Sequence, residues 1–337
     1  MINPKFALRK IRSVNYKAMF ASVRRVSKET GKPSVAVLAD LLGCIAHHEC
    51  GYVDYEDLEM YRMTEAERRK VLTIGRNLRL CRRLNADDSL YKIEDKAAFN
   101  RLFADFIRRD WFCLDDPDHG SLEDFRRFLE GKERVIVKPT DQTCGIGIDI
   151  LRTGDYTPGS LYEKLRRAKT PLVEEVVVQS EKMNAFAPYA VNTIRIISIL
   201  TGDRVTPVGA GLRLGTEGNV VDNYHHGGIT ACVDPRTGVI VTDGYDKTGA
   251  TYVRTPGTGA LLKGEKLPLW EEMVALVTRA HRLIPELRYV GWDVALDHDD
   301  QPLLIEANDL PGNDVSQLPD LEIGTYAAIK AALGEEL

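Results

Sequence analysis

The run from Gly291 to Asn308, GWDVALDHDDQPLLIEAN, constrains the fold more than any other stretch of the chain. Trp292 to Leu296 alternates apolar residues with polar or small ones. Asp297-His298-Asp299-Asp300-Gln301-Pro302 is turn chemistry, and Leu303 to Asn308 resumes an extended pattern, which together predict an antiparallel hairpin. Side chains alternate faces along a strand, so Glu306 and Asn308 point the same way, and Asp293 on the partner strand can face them. Three oxygen-bearing side chains at the spacing Asp-x12-Glu-x-Asn suit Mg2+, which takes hard oxygen ligands and keeps water and nucleotide phosphates in its shell. A plain hairpin with a polar outer face accounts for the same residues, so the rest of the chain must decide.

At 337 residues the chain exceeds the usual size of one domain, which predicts two or more lobes. A hydrophobic content of 44% and a charged content of 28% are ordinary for a soluble globular protein. No apolar run approaches the roughly 20 residues that span a bilayer, which predicts no membrane span. Met1 to Lys10 is basic without a long apolar core behind it and does not read as a signal peptide. Cys44, Cys50, Cys81, Cys113, Cys144 and Cys232 form no Cys-x-x-Cys pair, which argues against a zinc site or a disulfide framework and predicts a cytoplasmic location. A net charge of -5 gives no support to nucleic-acid binding. Residues 1–35 nevertheless carry nine Lys and Arg residues against one acid, Glu29. With Phe6, Ile11, Val14 and Phe20 on one side, such a segment can dock on an anionic surface, or it is a solvated helix face or arm.

Residues 34–85 read as helical, with Ser34 as a cap for a helix through Leu41-Leu42-Gly43. Thr64 and Glu67 form a capping box. Val71, Leu72, Leu78, Leu80 and Leu84 then give an apolar stripe that Asn85-Ala86-Asp87-Asp88 ends. A further helix is predicted from Asp95 through Ile107, with Phe99, Leu102, Phe103 and Phe106 at core spacing. The pattern changes after Gly131. Strands are predicted at Arg134–Pro139, Ile148–Leu151 and Pro171–Val178, and as a hairpin of Thr193–Leu200 and Val205–Ala210 around Gly202-Asp203. Trp270–Leu283 is an amphipathic helix, and a C-terminal helix begins near Thr325. The order is helical first, then a mixed and largely antiparallel α+β part.

The loop Thr140 to Gly147 joins two of these strands. Gly145 and Gly147 let backbone N–H groups approach phosphate oxygens, although no Gly-Lys-Ser/Thr follows as in a Walker A loop. Lys138, at the end of the preceding strand, can reach a phosphate as a compact charge or stand in solvent. Glu174-Glu175-Val176-Val177 lies where a strand runs out, so its backbone can pair with an adenine edge; it is equally a strand end with surface acids.

In this order the segments resemble the ATP-grasp superfamily, and within it the sugar-transfer-associated ATP-grasp family. The resemblance is carried by Asp54-Tyr55, Asp95-Lys96-x-x-Phe99, Lys138 before the Gly-rich loop, Glu174-Glu175 with Gln179, and Asn192-Thr193-Ile194-Arg195. Asp222-Asn223 with Gly227-Gly228, Gly291-Trp292-Asp293-Val294 and Glu306-Ala307-Asn308 complete it over roughly residues 50–320. It implies an α+β, ATP-grasp fold, two α/β lobes clasping ATP, preceded by a helical N-terminal region. The expected division is 1–94 helical, 95–180 first lobe and 181–337 second lobe.

The resemblance also implies roles. Lys96 and Lys138 match the lysines that contact ATP phosphates, beside Gly145 and Gly147. Glu174, Glu175 and Val177 match the adenine segment, and Glu181 matches the ribose carboxylate. Asp293, Glu306 and Asn308 match the Mg2+ ligands (Mn2+ is an alternative ion), with Glu306 bridging two ions. Arg195 and Arg213 match the arginines that hold the γ-phosphate and the acyl phosphate. Two departures stand out. Some peptide-forming members carry an Arg where this chain has Gly291, and helices replace the usual N-terminal α/β domain.

The implied activity is an ATP- and Mg2+-dependent carboxylate–amine ligase working through an acyl phosphate. Its partners would be a small carboxylate and an amine, with amino acids among the candidates, and a homodimer is left open. No protein nucleophile is needed, in keeping with the lack of any Ser-His-Asp or Cys-His signature. His225 and His226 either serve the amine as base or only line the pocket. A kinase acting on a hydroxyl, and a non-catalytic nucleotide-binding module, are the alternatives.

Overall fold

A computed structural model describes residues 15–140, 147–218, 222, 227–312 and 324–334. The expectations placed on residues 1–14, Cys144, Gly145, Asn223, His225 and His226 lie outside the described residues.

Two helices, α1 (Tyr16–Thr30) and α2 (Ser34–His48), open the chain. They bury Met19, Val23 and Val26 against Val37, Leu41 and Cys44. Proline cannot donate a backbone N–H, so Pro33 sits comfortably at the cap of α2 and Ser34 becomes its first turn instead of its cap. The Thr64–Glu67 capping box forms, but the helix it starts covers only Glu65–Arg68. A second cap, Thr73, starts α3 (Ile74–Leu84). Val71 and Leu72 thus lie in the connection between the two helices, and both are buried.

The helix predicted over Asp95–Ile107 is broken. Asp95 caps α4 (Lys96–Leu102), Phe103 leaves helical geometry at φ -105°, and a last turn spans Ala104–Ile107. Phe99 and Phe103 are buried as expected, whereas Leu102 is exposed. Phe103 packs edge-on against Trp292 at 5.5 Å, a tertiary contact that outweighs helical continuity.

Two antiparallel sheets follow. The smaller has the order β1 (Trp111–Cys113), β4 (Leu172–Glu175), β2 (Arg134–Lys138), β3 (Asp149–Arg152). One of its faces packs on α5 (Leu122–Leu129) and α6 (Pro158–Ala168) through Phe112, Phe125, Val135, Leu161 and Val173. The strand expected to reach Val178 stops at Glu175.

The larger sheet contains β5 (Thr193–Thr201), β6 (Arg204–Leu214), β7 (Ile229–Val233), β8 (Gly244–Tyr245), β9 (Thr251–Tyr252), β10 (Tyr289–Leu296) and β11 (Pro302–Asn308). Its order is β11-β10-β5-β6-β7-β8-β9, which places β11 at an edge. Ile194, Ile196, Leu212, Ala231, Trp292 and Val294 face α7 (Trp270–His281). On the opposite face Ile197, Ile199, Val208 and Tyr289 pack with Leu80 and Leu84 of α3 and with α8 (Thr325–Leu333). Alternation puts Arg195 and Asp293 on this second face, just beyond the apolar patch.

Behind the sheet, Trp292 Nε1 donates to Ser198 Oγ at 3.0 Å, Ser198 Oγ lies 2.8 Å from His281 Nδ1, and His281 Nε2 lies 2.7 Å from the Leu287 carbonyl. A carbonyl only accepts, so His281 is protonated on Nε2 and its Nδ1 accepts from Ser198. Burial depresses the imidazole to about 4. Among the described residues no helix is long and apolar enough to cross a membrane.

Candidate nucleotide and metal site

The hairpin predicted at residues 291–308 forms with Asp293 directly opposite Glu306 and Gly291 opposite Asn308. The register slips by one residue after Asp293, so Val294 pairs with Leu304 and Ile305 has no partner on β10. Asp293 is buried, and Glu306 and Asn308 are half-buried. Two arginines from the neighbouring strands converge on Asp293. Arg195, its register partner on β5, contacts Oδ1 through Nε and Oδ2 through Nη2 at 2.8 Å. Arg213 on β6 donates from Nη1 to Oδ2 at 2.9 Å. Burial alone would raise the Asp293 carboxyl, but the two guanidiniums outweigh it and bring it down to about 2. Burial and the charge of Asp293 push Glu306 the other way.

Asp222, from the segment after β6, lies 3.6 Å from Arg213 and accepts from the Thr193 N–H at 2.8 Å and from the Thr193 hydroxyl. Gly291 explains the departure noted in the sequence. A Cβ there would meet Pro311 Cβ at 2.8 Å and Arg195 Cδ at 3.2 Å, so the side chain of Arg195 already fills the space over this position.

On the smaller sheet, Lys138 does not stand in solvent. It is buried, and its Nζ lies 2.7 Å from Glu174 Oε2. Glu174 also receives Arg109 Nε at 2.8 Å and Asn100 Nδ2 at 2.7 Å. Burial opposes the charge of Glu174, yet Arg109 and Lys138 together hold its carboxyl well below the usual range. Burial lowers the ammonium of Lys138, with Glu174 opposing. Arg109 and Lys138 thus share one carboxylate.

A cavity of about 470 Å³ opens between the sheets. Ile136, Ile148, Ile150, Val177 and Ile305 give it apolar walls, and Lys138, Glu174, Glu175 and Asp222 give it polar ends. A smaller space of about 50 Å³ brings Lys96, Lys138, Glu306 and Asn308 together. The structure therefore gathers most of the expected site. Gly147 has a φ of 75° and packs beside Pro139, a conformation that suits glycine. Glu181 is exposed and outside the cavity lining; its Oε1 accepts from Asn184 Nδ2 at 3.1 Å, and Asn184 lines the cavity. Arg109 and Asn100 were not legible beforehand, because a lone Asn within a helical pattern or a lone Arg just after it looks like any surface residue.

The residues present fit a hard divalent cation. Among the described residues no group of three or more His, Cys, Asp or Glu side chains could hold a metal, so the donors here are two carboxylates and an amide. Asn308 Nδ2 is buried and has no hydrogen-bond partner among the described residues. The two ends of the amide are interchangeable, and turned over it presents Oδ1 in the region of the small space that Asn308 and Glu306 both line. An all-oxygen set with few protein donors is the pattern Mg2+ favours when phosphates and water complete its shell.

A family model described as sugar-transfer associated ATP-grasp matches residues 75–323. The chain belongs to the sugar-transfer associated ATP-grasp family. Its α+β fold, with helices ahead of the two sheets, is that of an ATP-grasp protein. No curated protein matches the chain. Solved structures similar to this ATP-grasp chain include D-alanyl-alanine synthetase A from Vibrio cholerae, at 13% identity over 74% of this chain and 63% of that one, with a TM-score of 0.43. An L-amino acid ligase from Bacillus licheniformis matches at 13% identity over 67% and 42%, with a TM-score of 0.40. A D-cycloserine synthetase matches at 14% identity over 76% and 78%, with a TM-score of 0.43. The chain spans less than two thirds of the length of the first two.

Proposed function

We propose that this protein is an ATP- and Mg2+-dependent carboxylate–amine ligase acting on a small carboxylate, in which residues 95–180 and 181–337 form two lobes around ATP. The observation that carries this reading is the convergence of Arg195 and Arg213 on Asp293, directly opposite Glu306, which lines the same small space as Lys138. Lys138 and Lys96 bind phosphate oxygens. The apolar walls take the adenine ring, with the backbones of Glu175 and Val177 along its edge, and Glu181 serves the ribose from beside Asn184. Asp293, Glu306 and Asn308 hold Mg2+, which neutralises phosphate charge and orients the transferring group when bound.

A carboxylate is a poor electrophile. Transfer of the γ-phosphoryl group to one of its oxygens, with ADP leaving, converts it into an acyl phosphate. The amine then attacks the acyl carbon, the C–N bond forms, and phosphate leaves as the nitrogen loses a proton. Arg195 and Arg213 are preorganised cations, and guanidinium groups stabilise the charge spread over the transferring phosphoryl group and then the tetrahedral oxyanion. The free thiols Cys44, Cys50, Cys81 and Cys113 suit a reducing cytoplasm.

A screen of phosphate release from ATP against pools of carboxylates and amines tests the proposal. Release that requires both an acid and an amine is the expected result. Phosphate retained on an acceptor hydroxyl would replace the ligase with a kinase.

A further inference from the structure

Among the described residues β11 is the edge strand of the large sheet, so one row of its backbone groups faces no strand there. The register slip after Asp293 adds a bulge at Ile305, immediately before Glu306. Buried carbonyls in such a place need donors from elsewhere. A single side chain supplies them. Arg109 Nη1 donates to the Leu304 carbonyl at 2.6 Å and Arg109 Nη2 to the Ile305 carbonyl at 3.1 Å.

The same guanidinium reaches the other sheet. Its Nε donates to Glu174 Oε2 at 2.8 Å, the oxygen that Lys138 contacts at 2.7 Å. The side chain is 2% exposed. Five donors in a rigid plane let arginine hold a carboxylate on one edge and carbonyls on another, which an ammonium cannot do. The preceding residue, Arg108, adopts a left-handed φ of 45° at the end of the last helical turn, and its Nε pairs with Asp297 at 2.8 Å in the hairpin's own turn. Neighbouring arginines thus fasten the metal hairpin at two points.

We propose that Arg109 is a positioning residue that fixes Glu306 relative to Lys138, joining the metal strand to the phosphate strand across the nucleotide cavity. This rests on the nucleotide–metal reading of the site. Because Arg109 holds the bulge that sets the facing of Glu306, its loss uncouples Mg2+ from nucleotide binding more than it weakens the fold.

The test measures the affinity of the full chain for the β,γ-imido analogue of ATP, with and without Mg2+, beside thermal melting. In the unaltered protein Mg2+ tightens binding. In Arg109→Met that gain falls on the order of 10-fold, the scale of losing a partner that orients a metal ligand. Arg76→Met is the comparison, since Arg76 is another buried arginine that donates to carbonyls, those of Arg68 and Val71, away from the cavity. It should lower the melting temperature and leave the gain unchanged.

Arg109→Lys keeps a cation for Glu174 but cannot span both contacts, so it should also lose the gain, with a smaller fall in melting temperature. An Arg109 variant that folds and keeps the gain within about twofold of the original, a margin worth under 1 kcal/mol, overturns the proposal. So does failure of both Arg109 variants to fold while Arg76→Met folds, which would make Arg109 a folding residue only. Absence of any Mg2+-dependent binding in the unaltered protein overturns the nucleotide–metal reading instead.

Discussion

Asp293 and Glu306 face each other directly across the β10–β11 hairpin, and the strands slip out of step by one residue just beyond them. Two guanidiniums keep Asp293 ionised, while burial and the adjacent charge press Glu306 toward its neutral form. The pair is therefore unequal. One carboxylate is ion-paired with Arg195 and Arg213, and the other shares a hydrogen bond with it and lines a small space with Asn308.

Glu306→Gln should abolish turnover and leave the fold intact. The amide is isosteric, and it removes a charge whose burial is unfavourable. Thermal melting should show no loss of stability, and phosphate release at saturating Mg2+ should fall to background. A wild-type rate in this variant would remove Glu306 from the metal set.

Lys138→Met should weaken ATP binding roughly tenfold or more, as expected when one charge-assisted phosphate contact is lost. Adenosine, which lacks the phosphates, should lose far less. Titration calorimetry with both ligands makes the comparison. Equal losses would mean that Lys138 serves only its ion pair with Glu174.

Much of this site was legible in the sequence. The hairpin at residues 291–308, the strand ending at Lys138 and the helices from Trp270 and Thr325 are set by local alternation, turn residues and caps, all of which act over a few residues. What escaped detection depends on distant parts of the chain meeting. The break at Phe103 follows from Trp292, almost 200 residues away. The capture of Lys138 by Glu174, and of Glu174 by Arg109, appears only once two sheets and a helical turn come together. The register slip at Ile305 leaves no mark in the alternation of Leu304-Ile305-Glu306.

Stability should fall as the pH drops from about 6.5 to about 4, and His281 should account for a defined part of the loss. Its ordinary value is 6.5 and its folded value is about 4, so across this window the unfolded chain binds the proton and the folded chain does not. Acid therefore favours unfolding, by on the order of 3 kcal/mol for this group. Urea denaturation at pH 7 and pH 4, compared between the wild type and His281→Gln, isolates the effect. The variant should be less stable at pH 7 and should show a shallower pH dependence. Parallel pH profiles would contradict the assignment.

Gly291→Ala should cost about 1–3 kcal/mol through overpacking, because its Cβ would meet Pro311 Cβ at 2.8 Å and Arg195 Cδ at 3.2 Å. Of the two obstacles, Arg195 gives way more easily, so turnover should fall further than the change in melting temperature implies. Full activity in a folded Gly291→Ala protein would show that the placement of Arg195 is not critical.

Interception of the activated carboxylate is the most direct test of the central claim. Hydroxylamine, small and strongly nucleophilic, should replace the amine and yield a hydroxamate that depends on ATP, Mg2+ and the correct acid. Arg195→Met should suppress it by on the order of 100-fold, the scale of losing one preorganised oxyanion donor. Hydroxamate should form together with free phosphate from γ-labelled ATP. Label recovered on a hydroxyl of the acceptor, with no hydroxamate, would contradict the ligase reading.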